Sequence, residues 1–134
     1  MYFPGYTNVF IKSVKCTTVD CSVSVTVTDD GSVCKLDVVE VLDVTEGPSG
    51  ARNVTWTIDT QGYEFSKESY KFGIFVKSDP DEEFKNVQIT GGGKSLSLKF
   101  EHNAPGMAYS YALTVRRTAG NKGFCKTLDP WLIT

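Results

Sequence analysis

The sequence predicts an all-β domain, an antiparallel β-sandwich of immunoglobulin-like type with about eight or nine strands. In several short runs, large apolar residues stand at every second position, which is the period of a β-strand. Turn residues separate these runs, and no amphipathic helix longer than about two turns fits the usual helical template. The heaviest run, residues 109–115, places two tyrosines, a leucine and a valine on one face and is predicted to be the central strand.

The amino-terminal third predicts a hairpin and then a strand that changes face. After a short alternation in residues 8–15, residues 21–28 put valines on one face and serines or threonines on the other, so one face meets water. Residues 29–32 carry an Asp-Gly turn of the kind that closes a hairpin. The run 34–44 shifts its phase midway, which predicts a β-bulge or a corner where the strand passes to the other sheet.

The remaining strands follow a loop at residues 45–51 that breaks regular structure. An acidic loop at residues 78–83 and a glycine turn at residues 91–93 punctuate them. The predicted strands are residues 53–59, 70–76, 86–90, 94–101 and 109–115, and the chain then ends in a segment of residues 124–134.

Length and composition indicate one domain, residues 1–134, large enough to bury a core. Fourteen basic residues against sixteen acidic ones give a net charge of -2, and the only adjacent basic pair is Arg116-Arg117. Nucleic-acid binders concentrate basic residues on one face, so nucleic acid is not an expected partner. No apolar stretch is long enough to span a membrane, so no membrane partner is expected either.

The cysteines leave the compartment open. Cys16, Cys21, Cys34 and Cys125 lack zinc-knuckle spacing and the sole histidine is His102, so neither a metal nor another cofactor is predicted. Disulfides Cys16–Cys21 and Cys34–Cys125 are the first pairing to consider, and four reduced thiols are an equal alternative. Because the start has no signal-peptide pattern, we expect a cytoplasmic protein if the chain is complete. If a leader has been removed and the cysteines are paired, we expect an extracytoplasmic one.

Motifs for catalysis or metal binding are weak. Asp79 and Asp81 belong to an acidic loop with the oxygen ligands that calcium prefers, but the loop lacks the order of a known calcium loop. A solvated turn that discourages edge pairing explains it better. His102 has no nucleophile elbow beside it, so a hydrolase centred on His102 is a remote alternative and no catalytic residue is predicted.

Surplus aromatic residues are the main pointer to a ligand. Several rings, Phe75 among them, do not fit the inward parity of the strands or lie outside clear strands. Sandwich proteins that bind sugars or peptides present such rings on a sheet face or loop rim, although a second core layer would use them equally well. The predicted ligand-binding residues are Tyr63, Phe65, Trp131, Asp79 and Asp81.

These observations predict a non-enzymatic binding or interaction module that recognises a carbohydrate or protein ligand. A rigid scaffold with varied polar loops suits such a role. The alternative is a structural or assembly protein that forms a homo-oligomer by pairing edge strands.

Two resemblances accompany this prediction. The run Pro105-Gly-Met-Ala-Tyr-Ser-Tyr-Ala-Leu113, preceded by residues 96–100 and by Trp56, resembles the E-to-F corner of fibronectin type III and other immunoglobulin-like sandwiches. That likeness covers residues 53–117 and implies a fold without a function.

The second resemblance lies in the carboxyl-terminal half. The order Tyr70-Lys-Phe-Gly-Ile74, residues 109–115 and Asp129-Pro-Trp-Leu-Ile133 resembles the DP-EP family of small bacterial proteins, which carry an Asp-Pro-x-Ile motif near the carboxyl terminus. The family has no established activity, so the resemblance assigns no role to any residue.

Overall fold

A computed structural model describes residues 13–79, 83–102, 106–119, 123–127 and 130–134, and leaves the side chains of Tyr70 and His102 outside the description. Of the described residues, 60% lie in β-strands and none in an α-helix. The all-β prediction is therefore confirmed. Within the same ranges, no helix has the length and hydropathy needed to cross a bilayer.

The described residues form twelve strands, several of them very short. They are β1 (Ser13–Lys15), β2 (Asp20–Asp29), β3 (Cys34–Asp37), β4 (Val41–Asp43), β5 (Gly50–Ile58), β6 (Tyr63–Phe65), β7 (Ile74–Val76), β8 (Phe84–Thr90), β9 (Ser95–His102), β10 (Ala108–Arg117), β11 (Phe124–Lys126) and β12 (Trp131–Ile133). Two 3-10 turns, Ser69–Lys71 and Gly91–Gly93, lie between strands.

The strands join in one mixed sheet in the order β1-β4-β12-β10-β11-β3-β2-β5-β9-β8, with β6 and β7 also paired to β10. The pairs β1–β4, β4–β12, β3–β11 and β2–β5 are parallel. The prediction of a purely antiparallel arrangement is therefore wrong, because alternation of apolar residues identifies a strand but not its direction. The expected eight or nine strands fall short of twelve because runs of three residues are too short for a period of two to show.

Strand β10 is the centre of the sheet, as predicted. Its first half pairs with β12 on one edge and β7 on the other, and its second half pairs with β11 and β6. The inward residues Tyr109, Tyr111, Leu113 and Val115 are all buried. Its alternation of large and small residues thus matches one core-facing and one outward face.

The sheet curves so that strands distant in its order share the main, aromatic-rich core. The rings of Trp56 on β5 and Tyr111 on β10 have centroids 5.3 Å apart, although three strands separate β5 from β10 in the sheet order. Trp56 Nε1 donates a hydrogen bond of 3.3 Å to the hydroxyl of Tyr111. Phe84 on β8 meets Tyr109 edge-on at 4.9 Å. Aromatic pairs in these geometries stabilise a core beyond the area that they bury.

The predicted hairpin is present, and the predicted irregularity in the run 34–44 is a change of strand partner within one sheet. Strands β2 and β3 pair antiparallel with Asp29 opposite Cys34. The run 34–44 splits into β3, which pairs with β2, and β4, which pairs with β12 and β1. The phase shift in the sequence marks this change of partner.

The predicted strand 70–76 is only partly formed. The 3-10 turn Ser69–Lys71 occupies its first half, and β7 begins at Ile74. Gly73 lies between them, where an added Cβ would come within 2.7 Å of Leu96 Cδ1. The chain approaches the core too closely here for a regular run of side chains.

Both disulfides pair as first considered, so the alternative of four reduced thiols is wrong. Cys34–Cys125 joins β3 to β11 across a sequence separation of 91 residues. Cys16–Cys21 closes a short loop that leads into β2, with a separation of 5 residues.

A buried arginine holds the loops at one end of β5. Arg52 is 0% exposed and donates five hydrogen bonds to main-chain carbonyl oxygens. Their acceptors are Cys16, Thr18, Val44 and Glu46, at distances between 2.7 and 3.2 Å. A planar guanidinium with five donors suits such a cluster of oxygens.

Candidate functional site

Tyr63, a predicted ligand residue, has its hydroxyl engaged inside the protein. That hydroxyl donates a 2.9 Å hydrogen bond to Asp29 Oδ2, while Arg117 donates two bonds of 2.6 and 2.9 Å to the same carboxylate. The bond to Asp29 and burial raise the pKa of Tyr63. The group ties β6 to β2 and β10, so its observed contacts are structural.

Phe65, a second predicted ligand residue, faces the core. Its side chain is 1% exposed and packs in the main hydrophobic cluster. Its partner in the sheet is Val115, which also points inward. A ligand on the surface cannot stack on this ring.

Asp79 begins the acidic loop and supports the chain beyond it. Its carboxylate oxygens accept hydrogen bonds of 2.8 and 3.1 Å from the backbone N–H groups of Glu83 and Phe84. Among the described residues no three of His, Cys, Asp and Glu gather as a metal site would require. Asp81 lies outside the described residues, so its calcium role stays a prediction.

Trp131 is the predicted ligand residue that the structure places on an outward face. It stands opposite Ser110 of β10, whose side chain points away from the core. The indole is partly buried and packs against Val41 and Ile133. Trp131 therefore lies on the same outer face of the sheet as Ser110 and the other outward residues of β10.

A cleft of about 380 Å³ lies on this outer face. Its floor is made by Ala112 and Thr114 of β10, which are small beside their neighbours. Phe75 of β7 stands opposite Ala112 on one edge, and Lys126 of β11 stands opposite Thr114 on the other. The walls thus come from strands far apart in the sequence.

Phe75 is the most exposed large apolar side chain of the described residues, at 64%. Its neighbour Ile74 is buried, so the alternation of β7 directs Phe75 outward. The mismatch in parity was visible in the sequence, but nothing there distinguished Phe75 from rings that cover a core.

Lysines supply the charge of the cleft. Lys71 and Lys126 line it, and no carboxylate is among its described lining residues. The Lys71 ammonium sits 4.8 Å from the centroid of the Phe124 ring. Lys126 is paired across strands with Lys35 of β3. Sequence reasoning missed these lysines because they are scattered along the chain and form no run.

The next outward position along β10 is neutralised. Arg116 Nε donates a 2.7 Å bond to Glu64 Oε1, and Glu68 lies 3.9 Å from its Nη1. The basic character therefore stays with the cleft and ends at Arg116.

His102 ends β9, but its side chain lies outside the described part of the structure. A hydrolase centred on His102 stays untested.

No protein family model, curated protein or solved structure matches this chain.

Proposed function

We propose that the protein is a non-enzymatic binding module that recognises a carbohydrate or protein ligand on the outer face of β10 and its neighbours. The observation that carries this proposal is the exposed ring of Phe75 beside a floor of small residues. Binding is favoured when a flat apolar surface covers an exposed phenylalanine ring, because apolar area is removed from water. A concave site with one such ring and a few polar groups has the usual composition of a ligand site.

The scaffold that we propose is an immunoglobulin-like sandwich. The contact between Trp56 and Tyr111 supports it, because the two rings lie on strands that are not neighbours in the sheet and meet across a core with their planes tilted by 57°. Loops and faces on such a rigid frame can change without loss of the fold. The DP-EP resemblance, which no comparison tests, stays a prediction.

We propose an oxidising, extracytoplasmic compartment for the protein. The support is the pairing of all four cysteines in two disulfides within the chain. Disulfides of this kind persist mainly outside the reducing cytosol.

The edge strand β8 favours binding over self-assembly. Its pairing with β9 is interrupted by a register shift between Lys85 and Gln88, and Asn86 there has a positive φ of 54°. A bulge and an exposed lysine are devices that keep an edge from pairing with another chain. The assembly alternative therefore lacks a regular edge at β8.

A glycan array combined with a pull-down tests the proposal, using the wild type and Phe75→Ala. Val87→Ala is the matched control, because Val87 is also an exposed apolar residue but lies on β8. We expect a captured ligand whose signal falls at least about tenfold in Phe75→Ala and not in Val87→Ala. A wild type that captures nothing in either assay, or a Phe75→Ala variant that binds as well, would refute the proposal.

A further inference from the structure

We infer that the ligand of the cleft is an acidic carbohydrate, an oligosaccharide that carries carboxylates on its sugar rings. The inference rests on the proposed function and names the chemistry of its ligand. Its support is that the lysines at the cleft have no carboxylate partner among the described residues, and that β10 sets the distance between Phe75 and Lys126.

Two lysines of like charge lie beside each other at one edge of the cleft. Lys126 and Lys35 stand directly opposite each other on β11 and β3. Like charges on neighbouring strands repel each other, and a nearby anion would relieve that repulsion. No described carboxylate forms an ion pair with either lysine. An anion in the cleft would supply the missing charge.

Lys71 is positioned to donate hydrogen bonds to an anion in the cleft. The face of the Phe124 ring holds its ammonium at 4.8 Å, at the wall of the cleft. An ammonium has three donors, and a cation–π contact uses none of them as a hydrogen bond. A carboxylate can therefore accept from Lys71 without displacing this contact.

The distance between Phe75 and Lys126 sets the minimum length of the ligand. Phe75 and Lys126 lie on opposite edges of β10 and are offset by two residues along it. Strand spacing places their Cα atoms about 12 Å apart. A ligand that covers the Phe75 ring and reaches Lys126 must be longer than one sugar ring.

Pairing along β10 argues against an acidic peptide. Peptides commonly bind sheets by adding a strand to a free edge. Both edges of β10 are already occupied around the cleft, by β7 and β6 on one side and by β12 and β11 on the other. Glu64 and Glu68 beside Arg116 would also repel a long acidic chain that extended past the cleft. A short acidic sugar with an apolar ring face fits better.

Titration calorimetry with matched sugars tests the inference. The probes are trisaccharides of galacturonate, glucuronate and mannuronate, each compared with its methyl ester, which keeps the shape and removes the charge. We expect at least one acid to bind at least about tenfold more tightly than its ester. We also expect added salt to weaken the acid more than the ester.

Variants locate the binding. Lys71→Met and Lys126→Met should each weaken the acid about tenfold and leave the ester unchanged, whereas Phe75→Ala should weaken both. Lys99→Met is the control, because Lys99 borders a different cleft on β9. It should change nothing.

Each other outcome overturns the inference in a recognisable way. Equal binding of acid and ester, sensitive to Phe75→Ala, would reject the acidic ligand and keep the proposed function. Binding of polyglutamate in place of every sugar would reject the carbohydrate and keep a protein ligand. Failure of all these probes would reject the inference, while the array and pull-down with Phe75→Ala decide the proposed function separately.

Discussion

Two clefts of about 380 Å³ each lie on different parts of the sheet, and they differ in chemistry. The basic cleft on β10 has an exposed ring and lysines without described carboxylate partners. The polar cleft lies on the outer face of β5, β8 and β9. Its lining contains amide, hydroxyl and charged side chains, some of which bind one another. Asn53 Nδ2 there donates a 2.8 Å bond to Asp20 Oδ1. The volume of a cleft alone therefore does not identify a ligand-binding site. Charged and apolar groups that lack partners within the described residues do.

The polar cleft belongs to a regular hydroxyl surface. The sheet register aligns Ser22, Thr55 and Ser97 in one row across three strands. A second row contains Ser24 and Thr57. Threonine and serine are usual on the solvent-facing side of a sheet, where their hydroxyls hydrogen-bond to water, so this surface needs no ligand to explain it. The contrast with the basic cleft leads to the following predictions, in order of decreasing effect.

The disulfide between the two regions should matter most. Replacing Cys34 and Cys125 by serine should lower the free energy of unfolding by about 4 to 5 kcal/mol, because a loop of this length gains much entropy when unfolded. The Cys16–Cys21 bridge closes only a short loop, so replacing both cysteines by serine should lower the free energy of unfolding by about 2 kcal/mol. Urea unfolding of both double variants measures the difference. Equal losses would mean that the long-range bridge does not join the two regions energetically.

The shared core should come next. Trp56→Ala should cost about 3 to 5 kcal/mol, since it empties a large buried site that both regions cover. Trp56→Phe is the control that keeps a ring but loses the bond to Tyr111. Its loss, measured in the same denaturant series, should be clearly smaller. If Trp56→Ala unfolds only one region, the core is not shared.

Thr127 tests the basic side alone. Its hydroxyl accepts a 2.9 Å bond from the buried N–H of Leu113, at the point where β10 passes from β11 to β12. Thr127→Val leaves that N–H unsatisfied and should cost about 1 to 3 kcal/mol. Hydrogen exchange of the Leu113 amide should also accelerate. A neutral result would show that another group can take the place of the hydroxyl.

Acid should weaken the link made by Asp29. The hydrogen bonds from Arg117, Gly31 N–H and Tyr63 hold the pKa of Asp29 well below its usual range. A lowered folded-state pKa means that the stabilisation is complete above the unfolded pKa, near about 4, and is lost as the pH falls below it. Melting temperatures between about pH 6 and 2 should therefore fall more steeply for the wild type than for Asp29→Asn. Parallel curves would contradict this.

The hydroxyl surface should tolerate change best. Thr57→Val on β5 replaces an exposed hydroxyl and should alter stability by no more than about 0.5 kcal/mol. It should leave binding at the basic cleft unchanged in the same calorimetric assay. A lost signal would mean that the polar face contributes to the ligand site.

The sequence predicted what depends on local alternation and missed what depends on strand direction. The alternation in residues 109–115 predicted a central strand, and the Asp-Gly turn after β2 predicted a hairpin. The parallel pairing of β2 with β5 follows from the path of the intervening chain, which no local pattern encodes.

The candidate site followed the same division. The sequence grouped Trp131 and Phe65 as rings that do not fit the inward parity. The structure places Trp131 on an outward face and Phe65 in the core, because the run Tyr63–Phe65 is too short to reveal its inward parity. The ligand role of Trp131 stays a prediction. Lys71 and Lys126 line one cleft, and Lys35 stands opposite Lys126, only after distant segments of the chain come together. Such convergence needs the topology, which composition and spacing do not provide.

Arg52 bears on which positions can drift during evolution. Because it binds main-chain oxygens, the side chains of the loops that it holds are free to vary while the anchor persists. Two positions are exceptions: Cys16 is bonded to Cys21, and a Cβ at Gly47 would lie 2.6 Å from the carbonyl oxygen of Thr17. The buried arginine thus leaves this end of the sheet open to new loop sequences at little risk to the fold.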